Sequence, residues 1–168
     1  MIVEPTEVVV AEFSTLVRAT NPVPTFITSL TGISQSDVDR EGRPLSEAME
    51  KFLGFIGPHP VFFHNAPFDA GFIKHACSLT KKKFSNPVHD TLPIARAAWP
   101  SLGSYKLSVL AKHVGAAAPT HRGLADVKAT LAVLLAAKKA VPMPNKPAGV
   151  KVSNVQHHAV APLTRQLL

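Results

Sequence analysis

Residues 64–73 read HNAPFDAGFI, and they place one carboxylate, Asp69, between Phe68 and Phe72, just behind the strand-like run Val61-Phe-Phe. The short apolar run predicts a strand, and the residues after Pro67 predict a helix across about 67–79. An acid at such a handover either starts the helix, where the positive end of the dipole favours it, or binds a metal ion. The choice turns on which other side chains meet it there.

Downstream, Pro87-Val-His-Asp90 reads as a second short strand, leading into a helix from Thr91 that Pro100 stops. Leu107, Leu110, Ala111 and Val114 mark a helix ending at Gly115, and the Ala- and Leu-rich stretch 124–140 is the strongest helix in the chain. Upstream, Leu45, Ala48, Met49, Phe52, Leu53 and Ile56 recur at helical spacing between Pro44 and Gly57-Pro58. Residues 7–17 are β-branched and partly alternating, which predicts a strand. The prolines of Thr20-Asn-Pro-Val-Pro then break regular structure, and the stretch through Leu30-Thr-Gly-Ile-Ser reads as a loop that Ser34 ends by capping a short helix from Gln35. Strands alternating with helices predict an α/β domain with a mixed sheet, whose sites gather where strands hand over to helices. Both Asp69 and Asp90 lie just past strand ends. Residues 1–141 are read as this domain and 142–168 as a flexible, Pro-containing basic tail.

The chain has 168 residues, 46% of them hydrophobic, enough for one domain with an ordinary core. No apolar run reaches the roughly 18 residues a membrane span needs, and no basic region followed by an apolar one opens the chain, which predicts a cytoplasmic protein without a membrane partner. The single cysteine, Cys77, cannot form an internal disulfide and reads as a small core residue. Lys and Arg number 18 against 11 acids, for a net charge of +7, which suits a polyanionic partner. Lys81-Lys82-Lys83 and the lysines after Asp126 concentrate that charge, although each cluster reads equally well as a solvated helix end.

His121-Arg-Gly-Leu-Ala-Asp126 is the second informative stretch. Asp126 falls in the first turns of the strongest helix and His121 in the loop before it, so both side chains are placed to face one site. Taken alone, Asp126 and Asp69 read as helix-start acids and His121 as a loop histidine.

Together, however, His64-Asn-Ala-Pro-Phe-Asp69 and His121-Arg-Gly-Leu-Ala-Asp126 resemble the second and third motifs of the DEDDh 3′-to-5′ exonucleases. This is the ribonuclease H-like group that includes the proofreading epsilon subunit of bacterial DNA polymerase III. The resemblance extends, in the family's order, to Phe13-Ser-Thr-Leu-Val-Arg, Ile27-Thr-Ser-Leu-Thr-Gly-Ile, Asp90-Thr-Leu and Ser104-Tyr-Lys-Leu-Ser-Val-Leu-Ala, covering about residues 8–138. It implies hydrolysis of phosphodiesters at nucleic-acid 3′ ends, with single-stranded DNA as the substrate and a DNA polymerase subunit as a partner. Two Mg²⁺ or Mn²⁺ ions would stabilise the attacking and leaving oxygens. Hard divalent ions select oxygen donors, so Asp69 and Asp126 are the implied metal ligands and His121 the implied general base. Asn65 and Phe68 would position the terminal nucleotide, with Thr31, Gly32 and Ile33 near its base. Asp90 is expected to cap the helix that follows it.

The family's first motif, Asp-x-Glu on the opening strand, is absent: Glu4, Glu7 and Glu12 form no such pair, and Met1-Ile-Val-Glu resembles the end of the family's second strand. Two carboxylates offset half the charge of two divalent ions, so weak or no activity is expected. The family's opening strand is central in the sheet, so its neighbours are expected to be left with unpaired backbone groups. A start assigned too late or a truncated gene would explain this. The alternative, from another class, is a non-catalytic nucleic-acid-binding or polymerase-associated module.

Overall fold

The computed structural model describes residues 1–4 and 6–141, together with the backbone of 158–160. Five strands, β1 (Ile2–Val3), β2 (Val9–Ala11), β3 (Val61–Phe63), β4 (Val88–Asp90) and β5 (His158–Val160), form one sheet in the order β2-β1-β5-β3-β4. The sheet is mixed, as expected: β1 runs antiparallel to β2 and β5, and β3 runs parallel to β4 and β5. Seven helices accompany it among the described residues: α1 (Thr25–Thr31), α2 (Gln35–Glu41), α3 (Leu45–Ile56), α4 (Ala66–Leu79), α5 (Thr91–Ala98), α6 (Leu107–His113) and α7 (Gly123–Ala140). None of the described helices is long and apolar enough to cross a membrane.

Strand alternation sorts the core into layers. In β3, Val61 and Phe63 point to one face and Phe62 to the other. The first pair joins Met49, Phe52 and Ile56 of α3 and Ile73, Ala76 and Cys77 of α4. Phe62 packs instead with Met1, Val3 and the α7 residues Val127 and Leu131. Farther along α7, Val133 meets Ala95 of α5 and Leu110 of α6. α7 is thus held at successive turns by the sheet and by two helices, which fixes the direction in which its first turn points. Cys77 is a core residue, as expected, and burial pushes its thiol pKa up.

Three expectations need correction. The strand expected over 7–17 contracts to β2, because β2 lies at the sheet edge with a neighbour on one side only; beyond it the chain makes just a bridge between Val17 and Arg43. The loop expected over 20–34 contains α1. Pro24 does not break it but sits at its N-cap in extended conformation, where a missing N–H costs nothing, and Gly32 closes it at φ 68. The gap expected beside β1 and β3 is not open: β5 stands between them, with Ala159 opposite Ile2 on one side and Val61 on the other. Backbone groups of central strands must find partners, and an extended segment from 158–160 provides them. The remainder of the expected tail, 142–157 and 161–168, lies outside the described residues.

Ser34 caps α2 as expected and does so reciprocally: its Oγ accepts from the Asp37 amide at 3.2 Å, and Asp37 Oδ2 accepts from the Ser34 amide at 2.9 Å. Ser34→Ala is expected to cost about 1 kcal/mol, read as a fall of about 3 °C in the thermal midpoint. An unchanged midpoint would show that α2 is held by packing alone.

Candidate active site

β3 delivers the chain to His64, whose ring is tied at both nitrogens: Nδ1 lies 2.9 Å from Thr91 Oγ1 and Nε2 lies 2.9 Å from the Tyr105 carbonyl. A carbonyl only accepts, so Nε2 carries the proton, and in the neutral ring Nδ1 accepts from the buried Thr91 hydroxyl. The next residue, Asn65, sits at the N-cap of α4 in the left-handed region at φ 67. Its amide donates to Asp90 Oδ1 at 3.0 Å, and the same oxygen accepts from the Leu92 amide at 2.8 Å. Asp90 therefore caps α5, as expected, and also ties the start of α4 to the start of α5, a second role that spacing along the chain does not reveal.

This brace presents the first turn of α4. Asp69 is buried, at 8% exposure, and Ile73 one turn later is fully buried. Phe68 is 39% exposed, with its ring edge-on to Phe72 at 4.9 Å, so it is not a core residue. Asn65 is exposed as well. A buried acid thus lies in the same turn as two exposed groups.

The second candidate stretch is the start of α7. Asp126 Oδ1 accepts from the Thr120 amide at 3.0 Å and the His121 amide at 3.1 Å, folding the preceding loop back over the helix start. His121 is exposed and adopts φ 59, a left-handed conformation that a histidine tolerates better than a β-branched residue. Burial pushes the Asp126 carboxyl pKa up; the two amide hydrogen bonds and the charge of His121 act in the opposite direction and offset this only in part.

Arg122, to which the sequence assigned no role, reaches from this loop to the end of α1. Nε donates to the Thr31 carbonyl at 2.9 Å and Nη2 to the Gly32 carbonyl at 2.8 Å. Thr31, Gly32 and Ile33 are thereby joined to the His121–Asp126 stretch, and Asn65 is joined to Asp90. The available signal for Arg122 was its position between His121 and Asp126; its partner, 91 residues away, had none. Among the described residues, no group of three or more His, Cys, Asp and Glu is arranged to hold a metal ion.

The family model described as Exonuclease matches residues 2–134. The chain belongs to the exonuclease family. The ribonuclease H-like α/β fold expected from the two motifs follows from that membership. This exonuclease chain is 41% identical over 128 residues to a PolC-type DNA polymerase III from Clostridium perfringens, an alignment covering 75% of the chain and 9% of that relative. It is 35% identical over 128 residues to the PolC-type DNA polymerase III of Caldanaerobacter subterraneus, covering 76% of the chain and again 9% of the relative. With the DNA polymerase III epsilon subunit of Aquifex aeolicus it shares 34% identity over 131 residues, covering 76% of the chain and 64% of that subunit. The chain thus spans about a tenth of the PolC-type relatives' length and about two thirds of the epsilon subunit.

Several basic residues of this exonuclease chain face acids. Lys82 pairs with Glu50 at 3.2 Å, Lys128 with Glu12 at 3.3 Å, and Lys138 and Lys139 with Glu7 at 3.6 and 3.3 Å. Such exposed pairs contribute little stability, and they favour the solvated reading of these lysines over a continuous phosphate track.

Proposed function

We propose that the chain is a 3′-to-5′ exonuclease domain acting on single-stranded DNA ends in the cytoplasm, in association with a DNA polymerase. The observation that carries this reading is the start of α7, where Asp126 organises the His121 loop and Arg122 ties that loop to Thr31 and Gly32. The polymerase association and the DNA substrate are taken from the DNA polymerase III relatives.

In this reading Asp69 and Asp126 hold Mg²⁺ or Mn²⁺. Their oxygens suit a hard cation, and the raised carboxyl pKa of Asp126 marks an anion short of solvation that a cation would relieve. In number the donors fall short, since two carboxylates offset half the charge of two divalent ions and no larger ligand group occurs among the described residues. Bound ions would supply stabilisation of negative charge on the attacking and leaving oxygens. The protein's own groups do the rest. His121, exposed, takes the proton of the attacking water. The Phe68 ring offers a stacking face to the terminal base, worth about 1–3 kcal/mol, with Asn65 and the Thr31, Gly32 and Ile33 loop completing the nucleotide's surroundings.

The shortage of carboxylates also supports the second reading, a non-catalytic nucleic-acid-binding module. Fluorescence anisotropy of a 5′-labelled single-stranded oligonucleotide separates the two. A nuclease site is expected to bind the 3′ end at least tenfold more tightly in Mg²⁺ than in EDTA, with slow shortening of the strand from that end. Equal binding in EDTA, with no shortening, overturns the exonuclease reading and establishes the module.

A further inference from the structure

Arg122 serves neither as metal ligand nor as base, yet among the described residues it makes two long-range side-chain hydrogen bonds, to residues 91 and 90 positions earlier. The carbonyls it holds belong to the C-terminal end of α1, where helix geometry leaves acceptors without intrahelical partners and the dipole favours a cation. The planar fork of arginine holds two such acceptors in a fixed geometry, whereas lysine's ammonium offers its three donors from a single point on a flexible stem. Gly32 matches it from the other side: at φ 68 it is left-handed, and a Cβ there would sit 3.3 Å from Nη2. The polar atoms within the loop are engaged as well, since Thr31 Oγ1 donates to the Ile27 carbonyl at 2.8 Å and accepts from the Ile33 amide at 3.1 Å. On the α7 side, the Thr120 and His121 amides are fixed on Asp126, and the Arg122 carbonyl accepts from the Asp126 amide at 3.2 Å. Both ends of the Arg122 bridge are therefore anchored in hydrogen-bonded turns.

We propose that Arg122 is a positioning residue that locks the Thr31-Gly32-Ile33 loop to the His121 loop, so that the surface beside the terminal nucleotide and the general base keep one fixed spacing. What the two loops hold rests on the exonuclease reading; the lock itself is a property of the protein without substrate. A plain helix cap would steady α1 only. A lock transmits its loss to both loops, because the bridge is the element they share.

The test compares the parent with Arg122→Lys, Arg122→Met and Gly32→Ala, the last crowding Nη2 by a few tenths of an ångström and straining the left-handed end of α1. Amide hydrogen exchange in the absence of nucleic acid is expected to accelerate at least tenfold at both Ile33 and His121 in Arg122→Met, and by less in Arg122→Lys. Acceleration at Ile33 with His121 unchanged in every variant, or no acceleration at either, overturns the lock. A single-stranded oligonucleotide with 2-aminopurine as its 3′-terminal base, in Mg²⁺, supplies the second readout. The parent is expected to shift the terminal fluorophore's emission and Arg122→Met to lose that shift, with 2-aminopurine at an internal position unaffected. A parent that leaves the terminal signal unmoved counts against the exonuclease reading, whereas the exchange data decide the lock by themselves. The lysine variant keeps the test decisive if Arg122→Met fails to fold.

Discussion

Replacing Asp126 with asparagine is expected to stabilise the metal-free protein at pH 7 and to abolish its Mg²⁺-dependent binding of 3′ ends. Asparagine keeps the oxygen that accepts from the Thr120 and His121 amides and removes only the charge. The sign follows from the direction of the shift. The folded-state pKa of Asp126 is raised, chiefly by burial, above its ordinary value of 3.8. The folded protein therefore binds this proton more tightly than the unfolded chain does. The stability linked to it is present below the ordinary carboxyl range and is lost as pH rises through the raised folded value. At pH 7 the parent bears the desolvation cost of a half-buried anion, offset only in part by its two amide hydrogen bonds, and the variant does not; near pH 3 the two converge. The thermal midpoint in EDTA is expected to be higher for Asp126→Asn than for the parent at pH 7, and the two midpoints to coincide near pH 3. A parent more stable than Asp126→Asn at pH 7 would show that the carboxylate is a structural acceptor whose charge contributes favourably. The binding half is read by the anisotropy titration, where Asp126→Asn is expected to bind no better in Mg²⁺ than in EDTA. A trade of stability for function of this kind is common at active sites, where groups are held in environments that folding alone would avoid.

Ile73→Ala is expected to have the largest effect on folding. Ile73 is fully buried in the cluster formed by α3, α4 and β3, and it lies one turn after Asp69 on the same side of α4. Truncation removes three carbons from a filled space, at a cost of about 2–5 kcal/mol, a large part of the roughly 5–15 kcal/mol that holds a domain together. Urea denaturation is expected to show a much lower midpoint with unchanged slope, and Ile73→Val a loss of about 0.5–1.5 kcal/mol. A loss below about 0.5 kcal/mol for the alanine variant would mean that the neighbours collapse around the space and that α4 is anchored elsewhere.

How far the sequence could be read depended on the range of the interactions involved. Helices α3 to α7 were legible nearly to the residue, because an apolar stripe at helical spacing, a proline near the start and a glycine or proline beyond the end are all local signals. The Asp90 and Ser34 caps were legible for the same reason. α1 was not, since Pro22 and Pro24 read as breakers and only the structure shows the second of them at a helix N-cap. The strand over 7–17 was overextended, because alternation marks a surface able to pair but does not say how much of it finds a partner.

By itself the sequence determined the α/β order of elements, the exonuclease family and the two stretches around Asp69 and Asp126, all of which depend on residue types at fixed short spacings. Only the tertiary structure decided that the backbone of 158–160 enters the middle of the sheet, that Asp90 braces the start of α4, and that Arg122 holds the end of α1. Those contacts join residues 25 to 91 positions apart or more, and a hydrogen bond across such a separation exists only once packing has brought donor and acceptor within about 3 Å.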